Sequence, residues 1–214
     1  MKILFSFLLG LSVLQAQVKE VKIGKQVWMA KNLDVSTFRN GDPIPQAKTA
    51  EEWFKAGDNQ QPAWCYYDND PANGTKYGKL YNWYAVNDPR GLAPEGWGIP
   101  NKSEVLILVN FLGGETIAGE KLKSIDGWSN VKGNSSTGFN ALPGGWRDHL
   151  GYFVHVDNTG KTKPVGSIGL HGDWWLKSES EENGECFYLT NTDNSVYFDG
   201  NMKSYGFSVR TIKK

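Results

Sequence analysis

One segment, residues 91–114, marks both ends of the most apolar helix that the sequence predicts. Asn101 follows a proline, and its side-chain oxygen is suited to cap the first turn, while Glu104 completes a capping box three residues later. Residues 105–112 are mostly apolar and would cover most of the helix circumference, which predicts a helix buried between other elements. The glycines at 113 and 114 end it.

Composition restricts the partners of the chain. Its 214 residues carry 23 basic and 23 acidic side chains, so no net field attracts nucleic acid or an anionic membrane surface. No apolar run reaches the roughly 20 residues that a bilayer requires, so no transmembrane segment is expected in the mature chain. The 25 glycines indicate many tight turns, and the 9 tryptophans indicate a core of large rings, an exposed aromatic surface, or both.

The N-terminus has the pattern of a signal peptide. Lys2 precedes an apolar stretch at residues 3–14, and Ala16 offers a small residue at a cleavage point. We therefore expect residues 1–16 to be removed, residues 17–214 to form a single domain, and the protein to be secreted or held in the cell envelope. The alternative is an N-terminal core strand or helix.

Export to an oxidising compartment makes the only two cysteines, Cys65 and Cys186, candidates for a disulfide. The sequence does not show that they meet. Two free, buried thiols that behave as small apolar side chains are the alternative.

Helical patterns come early in the chain and strand patterns come late, which predicts an α+β domain. Thr49 caps a short helix, and Gly24 begins a tight hairpin turn between two short strands. The other predicted elements are a turn cluster at 68–74, an aromatic helix or strand at 80–86, a short helix at 117–123, and strands at 186–191, 195–199 and 205–212.

Six motifs in order carry a family resemblance. They are VKIGKQVWMAKNL at 21–33, YGKLYNWYAV at 77–86, PEGWGIPNKSE at 94–104, the glycines and KLKS of 113–124, STGFNALPGGWR at 136–147 and GFSVR at 206–210. On these motifs the chain resembles the Fibrobacter succinogenes major paralogous domain family of exported bacterial proteins. It departs from the family at Ala93 and Thr211, where the family has cysteines, and at Gly98, where the family has a histidine.

The resemblance implies, at greater distance, a C-type-lectin-like fold shared with formylglycine-generating and sulfatase-modifying domains. In that fold a few helices pack on short, mostly antiparallel sheets, and a terminal strand of the GFR type closes the domain.

No pattern for catalysis or metal binding stands out. The three histidines, His149, His155 and His171, have no compact ligand spacing. The DNDPANG segment at 68–74 resembles a calcium loop, but its glycine is displaced by one position and Lys79 stands where the glutamate ligand belongs. Neither a nucleophile elbow nor a reactive cysteine pair is present, so no catalytic residue, metal or cofactor is expected.

The aromatic residues of the second half of the chain suggest a binding surface. We predict that Trp146, Arg147, Tyr152, Asp173 and Trp174 contribute to one ligand site, since recognition residues concentrate on loops held by a rigid scaffold. Trp174 and Trp175 are adjacent, and on a strand they would point to opposite faces, which leaves one to be presented. The alternative is that these tryptophans form core.

Three functions follow from the sequence. The first is a non-catalytic binding module, secreted or on the cell surface, whose ligand is a glycan. The second is an adhesion or assembly module that recognises a protein of the bacterial envelope. The third, which the missing cysteine pair disfavours, is an oxidase related to formylglycine-generating enzymes.

Overall fold

The structure, a computed structural model, describes residues 19–153, 155–156, 162–163, 168–180 and 182–214. The predicted signal peptide, residues 1–16, lies outside the described residues. In chain order the elements are β1 (Glu20–Ile23), β2 (Gln26–Met29), α1 (Ala50–Asp58), β3 (Trp64–Cys65), a 3₁₀ turn (Tyr67–Asn69), α2 (Pro71–Tyr77), β4 (Leu80–Tyr81), α3 (Trp83–Val86), β5 (Trp97–Gly98), α4 (Lys102–Phe111), α5 (Ala118–Leu122), β6 (His155–Val156), β7 (Thr162–Lys163), β8 (His171–Ser180), β9 (Asn183–Thr190), β10 (Tyr197–Met202) and β11 (Ile212–Lys213).

The first sheet joins the two ends of the described chain. β1 and β2 form the predicted hairpin, with Ile23 opposite Gln26 and Gly24 at a φ of 60° in the turn. β11 pairs antiparallel with β2 on one side and with β5 on the other, which gives the order β1-β2-β11-β5. Small antiparallel sheets with a few helices confirm the α+β prediction.

The second sheet, in the order β10-β9-β8, is antiparallel and carries core on both faces. Because side chains alternate along a strand, Trp174 and Leu176 of β8 point to one face and Trp175 points to the other. Trp174 and Leu176 pack in a cluster with Val105 and Leu108 of α4. Trp175 packs in a separate cluster beneath the C-terminal segment.

Helix α4 begins where the sequence predicts. The Asn101 side chain accepts from the backbone N–H of Glu104, and the Glu104 carboxylate accepts from the backbone N–H of Asn101. The prediction that the helix is buried on most sides is wrong. Its inner face is packed against the core, but Ile107 and Phe111 are 57% and 64% exposed, because among the described elements only the β1–β2 hairpin turn reaches that face.

Replacing the cap should weaken the domain. We expect Asn101→Ala to lower the free energy of unfolding by about 1 kcal/mol, because it leaves a first-turn N–H without its acceptor. Urea denaturation measures the effect, with Asn110→Ala on the exposed side of the same helix as a control. An unchanged midpoint for Asn101→Ala would contradict the role of the cap.

Two other local predictions have different outcomes. Helix α1 is confirmed, with Thr49 as its cap and Glu52 completing a capping box. The 68–74 segment, predicted to be a turn, instead enters helix α2, since Asp70 accepts from Ala72 and Pro71 occupies the first helical turn.

Arg210, in the GFSVR motif, ties the C-terminal segment to the N-terminal one. Its buried guanidinium donates from Nη2 to Asn32 Oδ1 at 2.7 Å and from Nη1 to the carbonyls of Met29 and Phe139. Burial lowers the pKa of Arg210 to about 9. No described carboxylate contacts the Arg210 guanidinium directly, so its charge is stabilised by hydrogen bonds to neutral oxygens.

The candidate disulfide is not formed in the structure. Cys65 and Cys186 are both free and buried, and they belong to different clusters. Cys65 lies on β3 among the side chains that pack around Trp53, whereas Cys186 lies at the centre of β9 beside Trp175. Both behave as small core residues, which was the alternative that the sequence left open.

Candidate functional site

A cleft of about 250 Å³ opens on the face of the β10-β9-β8 sheet that carries Trp175. We call it the Asp173 cleft. Four aromatic rings, two carboxyl groups, one imidazole and one amide line it: Trp146, His171, Asp173, Tyr188, Asp199, Asn201, Tyr205 and Phe207.

The side chains on one face of β8, β9 and β10 form the floor and one wall of the Asp173 cleft. His171 and Asp173 are two residues apart on β8, so their side chains leave the same face. Asp173 stands opposite Tyr188 on β9, and the Tyr188 ring stacks on His171 with centroids 6.2 Å apart. Across β9, Asp199 of β10 faces Cys186, and Asn201 Nδ2 donates to Cys186 Sγ at 3.3 Å.

Two segments outside the sheet supply the opposite wall. The ring of Tyr205 lies 5.6 Å from that of Trp146 and 5.9 Å from that of Phe207. The backbones of Arg147 and Gly206 exchange both hydrogen bonds, and Ser208 N–H donates to the carbonyl of Asp173 at 3.0 Å. The wall is therefore fixed to strand β8 by backbone hydrogen bonds.

Two buried polar atoms at the site lack partners. Asp173 Oδ2 and His171 Nδ1 are 4.0 Å apart, and neither makes a hydrogen bond within the described residues. Asp173 is only 6% exposed. A buried polar group without a partner costs free energy, so such an atom in a native fold indicates a water or a ligand that completes the site.

Burial also sets the charge of the site. Desolvation raises the pKa of Asp173 to about 8, so its carboxyl group is protonated at neutral pH. Desolvation lowers the pKa of His171, which favours the neutral imidazole. Burial, followed by the charges of Asp199 and Asp173, raises the pKa of Tyr188. Perturbed titration of this kind in a cleft is typical of functional sites.

The hydrogen bonds of the indole N–H groups distinguish tryptophans that have an acceptor within the protein from those that do not. Seven of them donate to acceptors within the protein: those of Trp28, Trp53, Trp64, Trp83, Trp128, Trp174 and Trp175. Within the described residues, those of Trp97 and Trp146 make no hydrogen bond. Both side chains are half-buried, and of the two only Trp146 lines the Asp173 cleft.

Trp97 lines a second cleft, of about 520 Å³, with Arg39, Lys177 and other polar residues. The carboxylate of this Trp97 cleft, on Glu104, is already paired with Lys214 and with the cap of α4. In the described residues that line it, no buried polar side-chain atom is without a partner. The Asp173 cleft is therefore the better candidate site.

A family model described as the Fibrobacter succinogenes major domain matches residues 21–213. The chain belongs to the Fibrobacter succinogenes major domain family. The match confirms the resemblance that the six motifs predict. No curated protein and no solved structure matches the chain, so the relation to the C-type-lectin-like fold stays a prediction.

Of the five residues predicted to form the ligand site of this Fibrobacter succinogenes major domain, two lie together. Trp146 and Asp173 both line the Asp173 cleft. Tyr152 is 52% exposed but does not line it. Its backbone N–H donates to Asp148 Oδ1, which holds the loop in place.

Arg147 and Trp174 do not belong to an exposed surface, and their prediction as presented residues is wrong. The Arg147 guanidinium is buried, where it donates to the carbonyls of Gly151 and Ala47 and lies 4.9 Å from the Trp53 ring. Trp174 is 0% exposed and stacks on Phe187 at 5.1 Å. Its neighbour Trp175 is also fully buried, because this part of the sheet is covered on both faces.

Most residues of the Asp173 cleft are not among those that the sequence predicts to bind a ligand. His171 was considered only as a metal ligand, and Tyr188, Asp199, Asn201, Tyr205 and Phe207 were not predicted to contribute. The spacing of two residues between His171 and Asp173 was the available signal, because on a strand it places both side chains on the same face. Partners across the sheet could not be assigned without the register of the three strands.

The site has no arrangement typical of metal binding or thiol chemistry. In the described part of the chain, no group of three or more His, Cys, Asp or Glu side chains is placed to share a metal ion. Burial raises the pKa of Cys65 to about 11 and that of Cys186 further still, so both thiols stay protonated at neutral pH. Among the described residues, no helix is long and apolar enough to cross a membrane.

Proposed function

We propose that this domain is a non-catalytic module, secreted or held in the cell envelope, that binds a glycan in the Asp173 cleft. The observation that carries the proposal is the pair of unpartnered polar atoms, Asp173 Oδ2 and His171 Nδ1, in a cleft with an aromatic wall. Export rests on the signal peptide that residues 1–16 predict.

The chemistry of the cleft suits a sugar ring. A pyranose has apolar C–H faces that pack on aromatic side chains, and it has hydroxyl groups around its edge. Trp146 and Tyr205 supply the aromatic surface, and the indole N–H of Trp146 has no acceptor within the described residues. Asp173, Asp199 and Asn201 supply polar groups that fix orientation.

Two observations support binding over oxidase chemistry. The buried thiols are protonated at neutral pH, whereas a reactive cysteine must be a thiolate. They also belong to different clusters, so they do not form the paired site that a formylglycine-generating relative would use.

The proposal includes the C-type-lectin-like fold that the resemblance implies. Support comes from the pairing of β11 with β2, by which the strand after the GFSVR motif closes a sheet with the N-terminal hairpin. Further support comes from the separate three-stranded sheet of β8, β9 and β10, which carries the candidate site.

A second function, recognition of a protein of the bacterial envelope, is favoured by an apolar surface elsewhere. Ile107 and Phe111 of α4, both well exposed, line a shallow depression of about 500 Å³ with Ile23 and the hairpin turn. Exposed apolar patches mark protein interfaces. Loss of envelope-protein capture on Phe111→Ser, with capture unchanged on Trp146→Ala, would support this function.

Trp146 gives the direct test of glycan binding. We expect the domain to retain oligosaccharides on a glycan array, and Trp146→Ala to weaken binding of the retained sugar about 10- to 100-fold, because it removes the stacking surface. Trp97→Ala is the matched control, since that residue is the other half-buried tryptophan with an unbonded indole.

Isothermal titration measures both affinities, and thermal melts establish that each variant is folded. Equal affinity for the wild type and Trp146→Ala would contradict glycan binding in the Asp173 cleft. Weakening by Trp97→Ala alone would move the site to the Trp97 cleft.

A further inference from the structure

We infer that the Asp173 cleft selects a glycan that carries a primary ammonium group, that is, an amino sugar whose nitrogen is not acetylated. The inference rests on the proposed function, because it specifies the ligand of the same cleft. It is carried by the position of two buried acceptor atoms and by the charges of the residues around them.

The two unpartnered atoms are placed to share one nitrogen. His171 Nδ1 and Asp173 Oδ2 are 4.0 Å apart, so an atom between them can lie about 2.9 Å from each, an ordinary hydrogen-bond distance. An ionised carboxylate only accepts hydrogen bonds, and a neutral imidazole with its proton on Nε2 accepts at Nδ1. Two acceptors call for two hydrogens on one ligand atom.

Ligand groups differ in how well they meet this requirement. Once Asp173 is ionised, a sugar hydroxyl with its one hydrogen satisfies one of the two acceptors, whereas an ammonium with three hydrogens satisfies both. Only a cation favours that ionised state of the buried carboxyl group. An N-acetyl group has a single N–H and no charge. The geometry of His171 and Asp173 therefore favours the free amine.

The charges of the residues that line the Asp173 cleft also favour a ligand with an ammonium group. Among the described residues, the cleft is lined by two carboxyl groups, Asp173 and Asp199, and by no lysine or arginine. The guanidinium of Arg147, next to Trp146 in sequence, is turned away toward Gly151 and Ala47. The aromatic rings of the cleft add their negative faces, which attract a cation.

Binding of an ammonium should displace a proton. The pKa of Asp173 is raised by burial to about 8, so at pH 7 the free cleft holds a protonated carboxyl group. A cation stabilises the carboxylate and so lowers that pKa on binding. Affinity should therefore rise with pH while the ligand amine stays protonated, by a little under tenfold for each pH unit that lies below both the pKa of Asp173 and that of the ligand amine.

The groups that face Asp173 do not supply this proton. On the same strand, His171 has a pKa lowered by burial and is neutral at pH 7. Burial and the charge of Asp173 raise the pKa of Cys186, and burial with nearby carboxylates raises those of Tyr188 and Tyr205, so all three stay protonated. Asp199 on β10 adds negative charge at the rim.

The test compares three tetrasaccharides by isothermal titration at pH 6, where the amines of the first are mostly protonated: β-1,4-linked glucosamine, its N-acetylated form and the glucose oligomer. We expect the wild type to bind the glucosamine oligomer at least tenfold more tightly than either neutral oligomer, with release of about one proton as read from buffers of different ionisation enthalpy. Asp173→Asn should reduce the preference below threefold and abolish the proton release.

Asp58→Asn is the matched control, because it makes the same Asp-to-Asn change at an exposed carboxylate of α1. It should keep the preference and the proton release. A loss of preference equal to that of Asp173→Asn would show general charge attraction and overturn the inference.

The remaining outcomes separate the inference from the proposed function. Equal binding of all three oligomers that is lost in Trp146→Ala would overturn the inference and leave glycan binding intact. Binding of a lysine peptide, but of no oligomer, with the same dependence on Asp173 would overturn glycan binding and leave amine recognition. Absence of binding by all four probes would overturn the inference and leave glycan binding to the array and the Trp146→Ala comparison.

Discussion

Trp174→Ala should unfold more readily than any single replacement on the surface, with a loss of about 3–5 kcal/mol in the free energy of unfolding. The side chain is fully buried and stacks on Phe187, and its Nε1 donates to Asn32 Oδ1 at 2.8 Å. The same oxygen accepts from Arg210, so the replacement also disturbs the buried link between the chain ends.

Two comparisons make this expectation specific. Trp174→Phe keeps a ring against Phe187 but removes the N–H, so it should cost about 1–2 kcal/mol, the value of a lost buried hydrogen bond. Tyr152→Ala removes an exposed ring and should change stability by less than about 0.5 kcal/mol. Guanidinium denaturation measures all three. A small effect of Trp174→Ala would contradict its place in the core.

Asp173→Asn should change how stability depends on pH. In the folded protein, burial raises the pKa of Asp173 from 3.8 to about 8. The folded state therefore binds the proton more tightly than the unfolded state, and stability falls as the pH rises from about 4 to about 8. The difference corresponds to at most roughly 6 kcal/mol, which the isosteric amide removes because it does not titrate.

The measurement is the free energy of unfolding of both proteins from pH 4 to pH 9. Relative to the variant, the wild type should lose several kcal/mol across this range and then level off. His171 titrates in both proteins, so its contribution cancels in the difference. Asp58→Asn should follow the wild type, and parallel profiles for the wild type and Asp173→Asn would contradict the buried carboxyl group.

The elements with local signals could be predicted from the sequence. The capping residues Asn101 and Thr49 predict the starts of α4 and α1, and Gly24 predicts the turn of the first hairpin. These predictions succeed because each signal lies within a few residues of the feature that it specifies. The burial of α4 could not be read in the same way. Which apolar residues stay exposed, as Phe111 does, depends on whether another element covers that face.

The site depended on contacts between distant segments. Trp146 and Asp173 were predicted together because both lie in the aromatic part of the chain, and the cleft brings them together. Alternation predicted that Trp174 and Trp175 face opposite sides, and they do, but it could not show that both faces are covered there. Tyr188 and Asp199 join the cleft only through the register of β8, β9 and β10.

The indole N–H of Trp146 offers the most direct test of glycan binding in the Asp173 cleft. Nuclear magnetic resonance resolves the side-chain N–H signals of tryptophans, and seven of the nine indoles here donate within the protein. On titration with an oligosaccharide retained on the array, the Trp146 signal should shift in a saturable manner while that of Trp97 stays in place. A shift of the Trp97 signal with Trp146 unmoved would contradict the assignment of the site.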